Sequence, residues 1–235
     1  SLTPNIFCNP GDTVVVELPT FVSGINAMRI HGANVVGVEM DEEGMELDGL
    51  EHAFRTEPNV KLLYVIPTFQ NPSGKTMSLA RRKAIYALCV KYGVMILEDN
   101  PYGELRFRGE DIPTFKSMDD EGIVIYNGSY SKVLSAGMRI GFVMAQKDVL
   151  QRLTVAKQFS DCHSNIFFQI VTDEWLRTAD VDAHIAKIRK IYRERCDFML
   201  KLLDEHMDKR VTYTRPDGGL FLWCTLPEGC DSQKL

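Results

Sequence analysis

Three consecutive stretches decide the fold: KLLYVI (Lys61–Ile66), SLARRKAIYALCVKYG (Ser78–Gly93) and VMIL (Val94–Leu97). The first is apolar at nearly every position rather than at alternate ones, the pattern of a strand covered on both faces. The breaker cluster from Pro67 to Gly74 ends it. Ser78 then stands where an N-cap belongs, Ile85, Leu88 and Cys89 recur at helical spacing, and Gly93 closes the helix at its C′ position. Val94–Leu97 is a second buried strand. Strand, helix and strand in this order make one unit of a parallel sheet.

The same alternation extends in both directions. Upstream, the turn Asn9-Pro10-Gly11-Asp12 leads into a strand at Thr13–Glu17, then a helix over 21–30, a strand at Asn34–Val38 and a helix at Leu47–Arg55. Downstream, Ile123–Tyr126 and Ile140–Ala145 read as two more strands. From Asp148 the character changes: helical periodicity runs to Leu176 with a restart at Asn165, and a long amphipathic helix follows over Val181–His206. Val211–Tyr213 and Leu220–Cys224 read as an antiparallel hairpin. The expected architecture is α/β, an α-β-α sandwich on a mostly parallel sheet, with part of a small α+β domain after it. The boundary is placed at Ala179–Asp180, giving domains over 1–179 and 180–235.

Composition narrows the class. The 235 residues are 45% hydrophobic and 25% charged, an ordinary mix for a chain with a sizeable core. A net charge of −5 offers no bulk attraction to nucleic acid or anionic lipid, so neither is an expected partner. No apolar run nears the ~20 residues of a membrane span, and Ser1–Pro4 lacks a secretory leader's charged and apolar regions. A cytoplasmic protein is expected. Its six cysteines show no Cys-x-x-Cys spacing, so no metal site or disulfide framework is expected.

In a parallel sheet, ligands bind beyond the carboxyl ends of the strands. There the sequence places Asn71-Pro72-Ser73-Gly74 after one strand, Asp99-Asn100-Pro101-Tyr102 after the next, and Ser129-Tyr130-Ser131-Lys132 with Arg139 after a third. Singly, each has an ordinary reading: a turn, a solvated acid, a surface ion pair. Jointly, an amide, a carboxylate, a phenol, two hydroxyls, an amine and a guanidinium on one rim suit a phosphorylated, nitrogen-containing cofactor anchored through an amine.

These three blocks resemble the fold-type I aminotransferases that use pyridoxal phosphate, nearest the 2-aminoadipate and kynurenine aminotransferases. Asn9–Asp12, Glu17–Phe21 and Gly218–Trp223 also match that branch in order. The resemblance implies an enzyme that moves an amino group from an L-amino acid to a 2-oxo acid, 2-oxoglutarate foremost, and a homodimer in the intact protein. It implies a Schiff base between Lys132 and the cofactor aldehyde, with Asp99 on the pyridine nitrogen and Asn71 and Tyr102 on the phenolic oxygen. Ser129, Ser131 and Arg139 would hold the phosphate. Phe21 falls where the branch usually carries a tyrosine stacked on the cofactor ring; phenylalanine keeps the stacking surface and loses the hydroxyl.

Family members extend past both ends of this sequence. They carry a phosphate-binding glycine-serine-glutamine turn upstream and an arginine for the substrate carboxylate downstream, so the chain reads as the middle of such a protein, weak in cofactor binding and with apolar patches exposed. Two other readings stand beside the first: the aminotransferase-like effector half of a GntR-type transcription regulator, and a carbon–sulfur lyase on the same fold.

Overall fold

The computed structural model describes residues 2–232 and 234; Ser1, Gln233 and Leu235, at the outer ends of the two expected domains, lie outside the described residues. A seven-stranded sheet forms the centre. In chain order its strands are β1 (Thr13–Leu18), β2 (Asn34–Asp41), β3 (Gly44–Met45), β4 (Val60–Val65), β5 (Met95–Asp99), β6 (Val124–Ser129) and β7 (Gly141–Met144), and in space they run β3-β2-β1-β4-β5-β6-β7. The five inner strands are parallel, and the short edges β3 and β7 are antiparallel. The chain leaves β1 for β2 in one direction and returns to β4 in the other, so β1 and β4 flank the switch point where such sheets open a crevice.

Side chains alternate across the sheet and build two cores. On one face Val15, Leu63, Val65, Ile96 and Val124 pack against helices α3 (Leu47–Thr56) and α4 (Leu79–Tyr92) through Leu50, Phe54, Ile85 and Cys89. On the other, Val14, Val16, Leu62 and Tyr64 meet Met28 of helix α2 (Val22–Ile30). Helix α4 starts and stops for the reasons its sequence suggests: Ser78 Oγ accepts the Arg81 N–H at 3.1 Å, and Gly93 turns left-handed at φ +67°.

Three helices follow: α5 (Lys147–Asp161), α6 (Ile166–Thr178) and α7 (Val181–His206), with Asn165 and Asp180 side chains capping the last two. Their packing is thin. Phe159, Ile166, Phe167 and Ile170 are exposed, Phe159 at 89%. Among the described residues no helix is long and apolar enough to cross a membrane.

Sequence and structure part company at several places, among them β2 and β6, which run on to Asp41 and Ser129 instead of ending at Val38 and Tyr126. A short helix α1 (Leu2–Phe7) and the two-residue β3 were not expected; both are too short to show a period. Strand β5 runs through Glu98 and Asp99 instead of ending at Leu97, because those residues stay in register with Tyr126 and Asn127 of β6 and both carboxylates find hydrogen-bond donors. The final hairpin is shorter than expected: only Thr212–Tyr213 (β8) and Cys224–Thr225 (β9) pair. Leu220–Leu222 lie outside that ladder, because Gly218 and Gly219 pass close against the Phe69 side chain and the Gly219 N–H donates to Leu105 O. A Cβ at either glycine would collide with that side chain.

Candidate active site

The crevice at the carboxyl ends of β1, β4, β5 and β6 gathers the polar residues. Its frame is the loop from Ile66 to Ser78. Glu17, at the end of β1 and only 1% exposed, accepts the Ile66 N–H at 3.0 Å and the Gln70 side-chain amide at 3.2 Å. Gln70 Oε1 in turn accepts the Ser73 backbone N–H and hydroxyl at 2.9 and 2.7 Å. From below, the fully buried Arg82 donates to Pro67 O and Thr68 Oγ1, both at 2.9 Å, and to Pro113 O at 3.0 Å. Burial pushes the Glu17 carboxyl up to about 8, more than its hydrogen bonds pull it down. Asn71 rides on this frame, and its Nδ2 donates to the Tyr102 hydroxyl at 3.3 Å. The Tyr102 ring stands edge-on to Phe221 at 5.4 Å. Burial raises the Tyr102 pKa; the Asn71 bond opposes the rise and the Asp99 charge adds to it.

Asp99 closes β5. Tyr64 Oη donates to one of its carboxylate oxygens at 2.9 Å and Asn127 Nδ2 to the other at 2.8 Å. Burial pushes this carboxyl above the usual range while the two hydrogen bonds pull it back. Phe21, Asp99, Asn127 and Arg139 line one cavity of about 460 Å³, with Tyr64 and Gly24 in its wall. Phe21 occupies the residue before α2 rather than its first turn, with its ring partly exposed.

The third block forms the turn from β6 to β7. Ser131 N donates to Ser129 Oγ at 3.1 Å, and Arg139 Nη1 donates to Ser131 Oγ at 3.4 Å and to Ala136 O at 3.0 Å. Arg139 holds a left-handed backbone, φ +57°, uncommon for a side-chain-bearing residue and frequent where function fixes a turn. Lys132 is half-buried in this turn and has no hydrogen-bond or ion-pair partner among the described residues. Thus Phe21, Asp99 and Arg139 share one cavity, Asn71 joins Tyr102, and Ser131 joins Ser129 through its backbone and Arg139 through its hydroxyl, whereas Lys132 is outside the walls of that cavity. Among the described residues no group of three or more His, Cys, Asp or Glu side chains is placed to hold a metal.

Two residues of the site escaped sequence reading. Tyr64 hides within an apolar strand, and Asn127 stands one residue past the expected end of the strand at Ile123–Tyr126, in the part of β6 that runs on to Ser129. The available signal was chemical: a buried phenol or amide needs a hydrogen-bond partner, and the nearest acceptor on that face is Asp99.

The profile of the family described as Aminotransferase class I and II matches residues 1–233. Aromatic-amino-acid aminotransferase 1 of Thermococcus litoralis is 43% identical over 238 residues, covering 100% of this chain and 57% of that protein. The 2-aminoadipate transaminase of Thermus thermophilus is 37% identical, covering 100% of this chain and 59% of that protein. The chain therefore spans somewhat more than half the length of these curated relatives. The crystal structure of Pyrococcus horikoshii kynurenine aminotransferase, in complex with PMP, superposes with a TM-score of 0.95 at 40% identity, covering 99% of this chain and 59% of that one. An uncharacterized HTH-type transcriptional regulator of Bacillus subtilis, YisV, is 34% identical over 212 residues, 90% of this chain and 44% of the regulator.

Proposed function

The chain belongs to the class I and II aminotransferases, and from that premise we propose that its parent protein is a pyridoxal-phosphate enzyme passing an amino group from an L-amino acid to a 2-oxo acid, with 2-oxoglutarate as acceptor. The observation that carries this reading is the shared cavity, in which a carboxylate with both oxygens fixed, an aromatic ring and a guanidinium face one volume. That donor set fits a substituted pyridine bearing a phosphate.

When bound, pyridoxal phosphate supplies an aldehyde that condenses with an amine and a ring that takes up the electron pair left as the substrate Cα–H bond breaks. The chain's residues supply the rest. Asp99 holds a proton at the pyridine nitrogen, which makes the ring electron-poor. Asn71 and Tyr102, already joined, hydrogen-bond the phenolic oxygen. Phe21, in the cavity wall, would cover one face of the ring. Ser129, Ser131 and Arg139 form the phosphate cup, the guanidinium giving a permanently charged contact. Lys132 Nζ, without an ion pair among the described residues, would be the amine that anchors the cofactor and takes up the proton from the substrate Cα. Donor and acceptor use the same site in turn, a ping-pong order.

We assign 180–235 to a second domain beginning where Asp180 caps α7, and a homodimer to the intact protein; the exposed apolar side chains of α5 and α6 support an assembly that covers them. A second reading, the effector half of a transcription regulator, is favoured by the likeness to YisV. The half-reaction separates the two. Full-length, cofactor-loaded protein mixed with aromatic amino acids, L-kynurenine or L-2-aminoadipate should release the matching 2-oxo acid and regain its starting absorbance on adding 2-oxoglutarate. Cofactor binding with no 2-oxo acid from any of them supports the regulator.

A further inference from the structure

We infer that Tyr64 is a positioning residue of this site: its hydroxyl, with the Asn127 amide, holds the Asp99 carboxylate as an oriented, uncancelled negative charge, and Gly24 makes room for the ring that does so. The inference rests on the reading that Asp99 meets the pyridine nitrogen, and it adds residues that neither the motifs nor the family resemblance assigns.

Tyr64 sits near the carboxyl end of β4, beside the switch point, opposite Leu97 of β5 and two residues short of Asp99 in register. Its ring is 3% exposed, and its hydroxyl donates to Asp99 Oδ2 at 2.9 Å. Burial and the Asp99 charge both push the phenol's pKa up, so it stays a donor. Asn127, opposite Asp99 on β6, donates to Oδ1 at 2.8 Å. One donor per oxygen fixes the plane of the carboxylate and leaves each oxygen lone-pair capacity for a third group.

The kind of donor matters as much as the number. An arginine or lysine in either place would neutralise the carboxylate and weaken its hold on a protonated ring. A phenol and an amide orient it without cancelling its charge.

Gly24 supplies the second line of argument. It lies in the first turn of α2, and a Cβ built there would stand 2.9 Å from Tyr64 Cε1 and 3.1 Å from Tyr64 Oη. Real Cβ atoms do not tolerate the first of these, so the helix approaches this ring only because residue 24 has no side chain. The glycine is therefore coupled to the hydroxyl's position and not merely to helix packing.

The test uses full-length protein loaded with pyridoxal phosphate carrying ¹⁵N in its ring. In the wild type the ring ¹⁵N signal should be that of a protonated pyridine. Tyr64→Phe keeps the ring and removes the donor; the signal should move toward neutral pyridine, and kcat should fall roughly tenfold or more while KM for the amino acid stays within about twofold. Gly24→Ala, which displaces the hydroxyl without deleting it, should shift the signal the same way by less. A protonated signal unchanged in both variants, with wild-type kcat, overturns the role of Tyr64 and leaves the cofactor reading intact. A wild-type ring that is not protonated overturns both.

Discussion

Glu98 and Asp99 are adjacent carboxylates on one strand, and they do opposite work. Glu98 points to the face covered by α3 and α4, where it is fully buried and accepts the backbone N–H groups of Phe115 and Lys116 at 3.0 and 2.9 Å. Asp99 points to the α2 face, where side chains hold it and a cavity opens beside it. Glu17 sides with Glu98: its register partner Val38 belongs to the α3–α4 core, and it too is bound by a backbone N–H. Backbone amides bind an acid to make it part of the frame. Side-chain donors that leave an open side orient it for something else.

The comparison is broken or sharpened by exchanging charge for amide on each face. The largest effect is expected at Asp99→Asn in the full-length protein: cofactor still bound, transamination slowed on the order of a hundredfold to a thousandfold, and melting temperature close to wild type. Glu98→Gln should do the reverse. An amide there can serve one backbone N–H and opposes the other, so the fold should lose roughly 1–3 kcal/mol in urea denaturation while kcat stays near wild type. If the two variants gave the same profile, the division between the faces would be wrong.

Glu17→Gln tests the frame through pH. The carboxyl's pKa rises from 4.5 to about 8 on folding, so between those values the folded chain keeps a proton that the unfolded chain releases. Wild-type stability should therefore fall as pH climbs through that window. The amide has no proton to keep, so the variant should match wild type near pH 4.5 and exceed it by on the order of 4 kcal/mol at pH 8, as read by denaturant melts at both pH values. Equal stability at both would show that Glu17 is not held protonated.

Most of the sheet was legible because buried parallel strands are apolar throughout and their helices carry plain caps, as Ser78 and Gly93 do. The α2 face was legible only where a motif marked it. With β5 read as stopping at Leu97, nothing could assign Glu98 and Asp99 to opposite faces; that assignment needs the strand to continue, and it continues because each acid finds donors more than twenty residues away or on another loop. Tyr64 and Glu17 were hidden for the same reason, since their partners, Asp99 and Ile66, are brought near only by the fold. The hairpin failed differently. Its apolar residues suggested a ladder, but Gly218 and Gly219 let the backbone lie against Phe69 instead.

The central claim is that the turn after β6 presents Lys132 as the cofactor's amine. Full-length protein incubated with pyridoxal phosphate, reduced with borohydride, digested and sequenced by mass spectrometry tests it in one step. The account predicts a single reduced adduct on Lys132, abolished in Lys132→Ala. An adduct carried instead by Lys75, whose amine is engaged by Glu42 and the Asp41 carbonyl, or by Lys147 at the start of α5, would contradict it.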